Sequence, residues 1–114
     1  MVKIIEKPWG QEEILETNPF YTVKKLTMKN GHRCSKQYHN LKEETIYVLH
    51  GVLTIDLDDE IVPAVFVLNQ NQFCTIKPGE IHRMEAKNGD VVYLECSTSQ
   101  LDDVVRVEDD YART

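Results

Sequence analysis

Long apolar runs are missing from this 114-residue chain. No stretch approaches the ~20 residues that a membrane-spanning helix needs. A basic surplus is missing too: 13 Lys and Arg stand against 19 Asp and Glu, for a net charge of −6. Nucleic acid and anionic membrane both require a basic face, so neither is expected as a partner. A small anionic ligand remains compatible, because a few local cations suffice to bind one. Cysteine is scarce and unpaired in pattern. Cys34, Cys74 and Cys96 are an odd count, widely spaced, with no C-x-x-C pair. That excludes a thiolate zinc site and reads as reduced thiols in a cytoplasmic protein. The opening Met1–Glu13 turns charged too early for a secretory leader. Repeats, low-complexity tracts and linker-like stretches are absent, and the length suits one domain over residues 1–114.

Helical periodicity is also weak, apart from a short turn expected near Gln100 to Val104. Strand signals are frequent instead. Tyr21 to Met28, Thr45 to Leu49, Val52 to Leu57, Ala64 to Leu68, Phe73 to Ile76, Ile81 to Ala86 and Val91 to Cys96 are rich in β-branched and aromatic residues. Breaks such as Asn69–Gln72, Lys77–Glu80 and Lys87–Asp90 separate several of them, and His50-Gly51 looks like a tight connection. Many short strands at near-regular spacing predict an all-β antiparallel sandwich or barrel.

The chemistry concentrates in Gly31 to Gly51. Residues two apart on a strand share a face, so Gln37 and His39 point the same way. Asn40 to Glu43 is long enough to turn the chain, after which Glu44 opens the next strand and can return beside them. An amide oxygen, an imidazole and a carboxylate are thus set to converge. His82, early on the strand that leaves the Pro78-Gly79 turn, offers a fourth donor. His32 and His50 are expected to have no direct role. Trp9 is expected to pack over an open barrel end, and Glu108-Asp109-Asp110 to be a solvated or capping run. Tyr47 and Tyr93 alternate with apolar residues and suit either core or pocket.

Gly31, five residues, Gln37-x-His39, four residues, Glu44, six residues, Gly51 resembles the first cupin motif, with Gln in the first ligand position. Gly79-x-x-His82 resembles the second, although Pro78 stands one place late and Ala86 replaces the usual asparagine. The resemblance implies a double-stranded β-helix, or jelly-roll barrel. Three further blocks narrow it: Lys7-Pro8-Trp9-Gly10, Ser35-Lys36-Gln37-Tyr38-His39, and Asp102 to Arg113. In this order they are similar to the mannose-6-phosphate isomerase domain at the C-terminal end of bifunctional mannose-1-phosphate guanylyltransferases. The nucleotide-binding half of those proteins has no counterpart in this sequence.

That resemblance implies a divalent metal held by Gln37, His39, Glu44 and His82. The donor set is hard and free of thiolate, which suits zinc, with manganese, cobalt or nickel as alternatives, better than copper. It also implies a sugar-phosphate substrate, mannose 6-phosphate or fructose 6-phosphate, and an aldose–ketose isomerisation in which Lys42 and Arg106 are the favoured catalytic cations. Arg33, Lys36, Arg83 and Arg113 are further candidates for the phosphate, and Glu43, Glu85 and Lys42 for the base. The family's arginine two residues before the glutamate ligand is here Lys42, which keeps the charge and loses the planar fork. Its glycine before the final arginine is Ala112. Two other functions compete. One is a non-catalytic module that binds a sugar or sugar phosphate. The other is a cupin acting on a nucleotide-linked sugar or, less suited to Gln37, iron and oxygen. Small cupins commonly pair sheet edges, and a homodimer is expected on that analogy.

Overall fold

A computed structural model describes residues 3–58, 64–100 and 102–113. Eleven strands are described: β1 (Lys3–Lys7), β2 (Gly10–Thr17), β3 (Thr22–Met28), β4 (Lys36–Tyr38), β5 (Glu44–His50), β6 (Leu53–Asp58), β7 (Ala64–Leu68), β8 (Phe73–Ile76), β9 (Ile81–Glu85), β10 (Val91–Ser97) and β11 (Val105–Glu108). They form a six-stranded sheet in the order β1-β2-β3-β10-β5-β8 and a five-stranded sheet in the order β11-β4-β9-β6-β7. Every pairing is antiparallel. The result is the expected all-β double-stranded β-helix. Among the described residues no helix is long and apolar enough to cross a membrane.

All seven strands expected from composition are present, within a residue or two at each end. The strand expected around Gln37 and His39 is β4, and β1, β2 and β11 were not anticipated. Gly10–Thr17 reads GQEEILET, and such a charged run carries little strand propensity of its own. Pairing with β3 on one side and β1 on the other makes it a strand. At Gln100–Val104 the described residues form a turn without a helix, and Leu101 lies outside the described residues.

The barrel interior changes character from one end to the other. Along β3 the inward residues run Met28, Leu26, Lys24, Thr22, and along β10 they run Val91, Tyr93, Glu95, Ser97 in matching register. On β5 Val48 and Ile46 give way to Glu44. On β9 Met84 gives way to His82. The apolar end is a dense core in which Met28, Ile46, Val48, Leu53, Ile55, Ile76 and Val91 are fully buried. Charges placed on inward positions of adjacent strands must meet one another, because a buried charge without a partner is strongly disfavoured. That requirement gathers them at the opposite end.

Two glycines let the strands close on each other. A Cβ on Gly51, which has φ of +86°, would stand 2.5 Å from the Asp90 carbonyl oxygen. At Gly10 it would overlap the Thr27 carbonyl oxygen at 1.9 Å. The C-terminal tail is tied to the five-stranded sheet. Arg33 donates two bonds to Asp110, at 2.6 and 2.9 Å. The buried Arg83 donates to the carbonyls of Cys34 at 3.0 Å and Glu108 at 3.2 Å. The His32 ring bonds the Tyr111 hydroxyl at 2.8 Å. The acidic run Glu108-Asp109-Asp110, expected to be solvated or capping, is therefore a latch. Arg83 on β9, Arg33 in the loop before β4 and Arg113 in the tail itself make it so.

Candidate metal centre

Three side chains of the expected set meet at the polar end. Ligand atoms of His39, Glu44 and His82 all lie within 4.8 Å of one another. Each residue is at least 98% buried. Nε2 of His82 is 3.1 Å, and Nε2 of His39 3.5 Å, from Oε1 of Glu44. β9 carries His82 and β5 begins at Glu44. His39 follows β4 directly, so β4 aims it although it lies just beyond the strand's last pairing.

The backbone fixes both imidazoles from behind. His39 Nδ1 is 2.5 Å from the Asp103 carbonyl oxygen, and His82 Nδ1 is 2.9 Å from that of Glu80. A carbonyl only accepts, so in each ring Nδ1 carries the hydrogen. In a neutral ring Nε2 then presents a lone pair. Both Nε2 atoms are buried with no hydrogen-bond partner, and so is Oε2 of Glu44. Two lone pairs and a carboxylate facing one point are mutually repulsive unless a cation sits among them. The carbonyl backing is the arrangement that orients imidazole ligands toward metals. The residues therefore fit a divalent ion by their own chemistry.

Gln37 pairs in register with His82 and lines a cavity together with His39 and Glu44. Its Oε1 accepts a hydrogen bond from Ser35 Oγ at 2.6 Å, which orients the amide. The turn between the ligands is held by Asp103. Its carboxylate accepts from the backbone N–H groups of Asn40, Leu41 and Lys42 at 2.7–2.9 Å. Those bonds pull the Asp103 carboxyl down to about 2.

Lys42 is buried and its ammonium is shared by two carboxylates, 3.5 Å from Glu44 Oε2 and 3.3 Å from Glu95 Oε1. Burial alone would lower the Lys42 ammonium, but Glu95 and Glu44 outweigh it and hold its pKa above the ordinary value. The Glu95 carboxyl, displaced first by burial and then by the charge of Glu44, is pushed up to about 8. Burial would raise Glu44 as well. The hydrogen bond with Glu95 and the charge of Lys42 act the other way, and Glu44 lies well below the usual carboxylate range.

A cavity of about 330 Å³ opens onto this group, with Gln37, His39, Glu44 and Glu95 in its wall. It also collects Lys3, Lys7, Lys24, Lys42, Arg106 and Arg113, six of the chain's 13 Lys and Arg. Some of these are spoken for: Lys24 pairs with Glu12 at 2.9 Å and Arg113 with Asp109 at 2.9 Å. Of the cations considered for a phosphate, the structure brings Lys42, Arg106 and Arg113 to the cavity. Arg33, Lys36 and Arg83 hold Asp110, Asp58 and the tail instead. Neither Glu43 nor Glu85 lines the cavity, and neither do His32 and His50. Trp9 is 4% exposed, part of the core and part of the cavity wall at once. Tyr93 lines the cavity, whereas the Tyr47 hydroxyl bonds Asn71.

Glu95, Lys24 and Glu12 were not singled out from sequence. A signal existed. Glu95 alternates with Val91 and Tyr93, and Lys24 with Leu26 and Met28, so each is a charge on the inward face of its strand.

The chain resembles known proteins over nearly its whole length. The family described as "Mannose-6-phosphate isomerase C-terminal" matches residues 1–111. The xanthan biosynthesis protein XanB of Xanthomonas campestris pv. campestris (strain B100) is 34% identical over 96% of this chain and 24% of its own length. The alginate biosynthesis protein AlgA of Pseudomonas aeruginosa is 33% identical over 96% of this chain and 23% of its own. The mannose-1-phosphate guanylyltransferase ManC of Salmonella typhimurium is 29% identical over 99% and 24%. The chain thus spans about a quarter of the length of the curated relatives it matches. Among solved structures, the capsular polysaccharide assembling protein CapF of Staphylococcus aureus superposes with a TM-score of 0.85, at 17% identity, over 95% of this chain and 32% of that one. The Bacillus subtilis oxalate decarboxylase superposes with a TM-score of 0.81, at 13% identity, over 93% and 30%. At such identity these structures establish the cupin fold alone.

Proposed function

Since the chain belongs to the mannose-6-phosphate isomerase C-terminal family, we propose that it is a metal-dependent isomerase interconverting mannose 6-phosphate and fructose 6-phosphate. One observation carries the reading: two buried imidazoles, each with its Nδ1 committed to a backbone carbonyl, aim unpartnered Nε2 atoms at the single carboxylate Glu44. Gln37, His39, Glu44 and His82 would hold the ion, zinc or another divalent cation such as manganese. When bound, the ion supplies a Lewis acid for the oxygens that gain charge as a proton moves between adjacent sugar carbons.

The remaining roles belong to the chain itself. A sugar phosphate is anionic, and the cavity concentrates cations in an otherwise acidic protein. Arg106 lies on β11 opposite Gln37 in register, so a phosphate held there sits beside the ligand set. Arg113, on the latched tail, lines the same wall. Lys42 serves the two carboxylates. Apolar wall residues such as Leu26 and Met84 restrict water around the reacting carbons.

The test is carbon-13 NMR of labelled mannose 6-phosphate with protein loaded stoichiometrically with zinc or manganese. Labelled fructose 6-phosphate should accumulate and chelator should stop it. Full metal content without turnover would reject the isomerase, and binding of the sugar phosphate under those conditions would establish the non-catalytic module in its place.

A further inference from the structure

The two oxygens of Glu44 have different surroundings. Oε1 faces the imidazoles, 3.1 Å from Nε2 of His82 and 3.5 Å from Nε2 of His39. Oε2 faces the Lys42 ammonium at 3.5 Å. That ammonium is not free to leave. Its side chain is 5% exposed, and Glu95 Oε1 holds it at 3.3 Å from the other side. The Asp103 bonds to the Asn40–Lys42 backbone fix the point from which the lysine reaches.

We propose that Lys42, braced by Glu95, is a positioning residue that keeps Oε2 of Glu44 away from the ion, so that Glu44 binds through Oε1 alone. This rests on the metal-site reading above. A carboxylate with both oxygens available can chelate, and chelation would fill a coordination position that a substrate oxygen needs. The lysine pairs with the second oxygen by charge, 3.5 Å away, and leaves that position open. The ammonium is well suited to the task because it is a compact point charge set between the two side chains. Lys42 then governs how many positions the ion offers, without touching substrate.

The experiment is isotope-edited infrared spectroscopy of the zinc-loaded protein with labelled glutamate, together with calorimetric zinc binding. The splitting between the asymmetric and symmetric carboxylate stretches is wide for one-oxygen ligation and narrow for chelation. Wild type should show the wide splitting for the metal-sensitive carboxylate. Lys42→Met should narrow it while zinc still binds at one per chain and no more weakly. Lys42→Arg, which retains a donor for Oε2, should keep the wide splitting. The double variant Lys42→Met, Glu95→Gln removes the second carboxyl as well, and should narrow the splitting in the same way. An unchanged splitting in both methionine variants, or a narrow one in wild type, overturns the proposal and leaves the metal site standing. Failure of wild type to bind zinc removes the site and the proposal together.

Discussion

Removal of one imidazole tests the metal centre most directly, and its size follows from the structure. His82 is fully buried, with Nε2 3.1 Å from Glu44 and no partner for its lone pair. At a free metal concentration one hundredfold above Kd, binding stabilises the folded chain by about 2.7 kcal/mol. For 114 residues the unfolding entropy is about 0.24 kcal/mol/K, so Tm should rise by about 11 °C over the chelated protein. Loss of a ligand costs more than the 10–100-fold that follows loss of a group behind a ligand. In His82→Ala the same metal concentration therefore lies at or below Kd. The stabilisation falls to about 0.4 kcal/mol, a Tm shift of about 2 °C or less. The metal-free variant should stay folded. It forfeits one bond to the Glu80 carbonyl, about 1 kcal/mol, but also removes a lone pair opposed to Glu44. Scanning calorimetry of both proteins, with zinc and with chelator, supplies the four Tm values. A metal-induced rise in His82→Ala equal to that of wild type would refute the ligand assignment.

Three further outcomes are expected. Arg106→Ala should raise KM for the sugar phosphate by tenfold or more while changing kcat less, as steady-state kinetics would show; an unchanged KM places the phosphate elsewhere. Gly51→Ala should lower stability by about 2 kcal/mol, read from urea unfolding, because it adds a Cβ at positive φ against the Asp90 carbonyl. Acid should loosen the tail before the barrel. The bond from the Arg113 side chain holds the Asp109 carboxyl at about 2, below the usual 3.8, so its contribution is complete above about pH 4 and is lost as pH falls through about 2. The NMR shifts of residues 108–113 followed from pH 5 to 1.5 should report that loss, and Asp109→Asn should abolish the step.

The sequence alone was enough for the fold class and for the convergence of His39, Glu44 and His82. Seven short segments rich in β-branched and aromatic residues at near-regular spacing specify a sandwich or barrel, and the Gly31–Gly51 spacing puts Gln37, His39 and Glu44 on one face around a turn. Those are local facts, settled by which way consecutive side chains point. Only the tertiary structure decided which cations face the ligands. Arg33, Lys36 and Arg83 are chemically as fit for a phosphate as Arg106, and they were committed elsewhere by Asp110, Asp58 and the tail, partners distant in sequence. It also decided the place of Glu95, an inward charge on β10 whose meaning depends on Lys42 and Glu44 lying beside it. β1, β2 and β11 belong with these. Their hydrogen bonds come from neighbours brought alongside by the closing of the barrel, and no pattern within a segment records which neighbour will arrive.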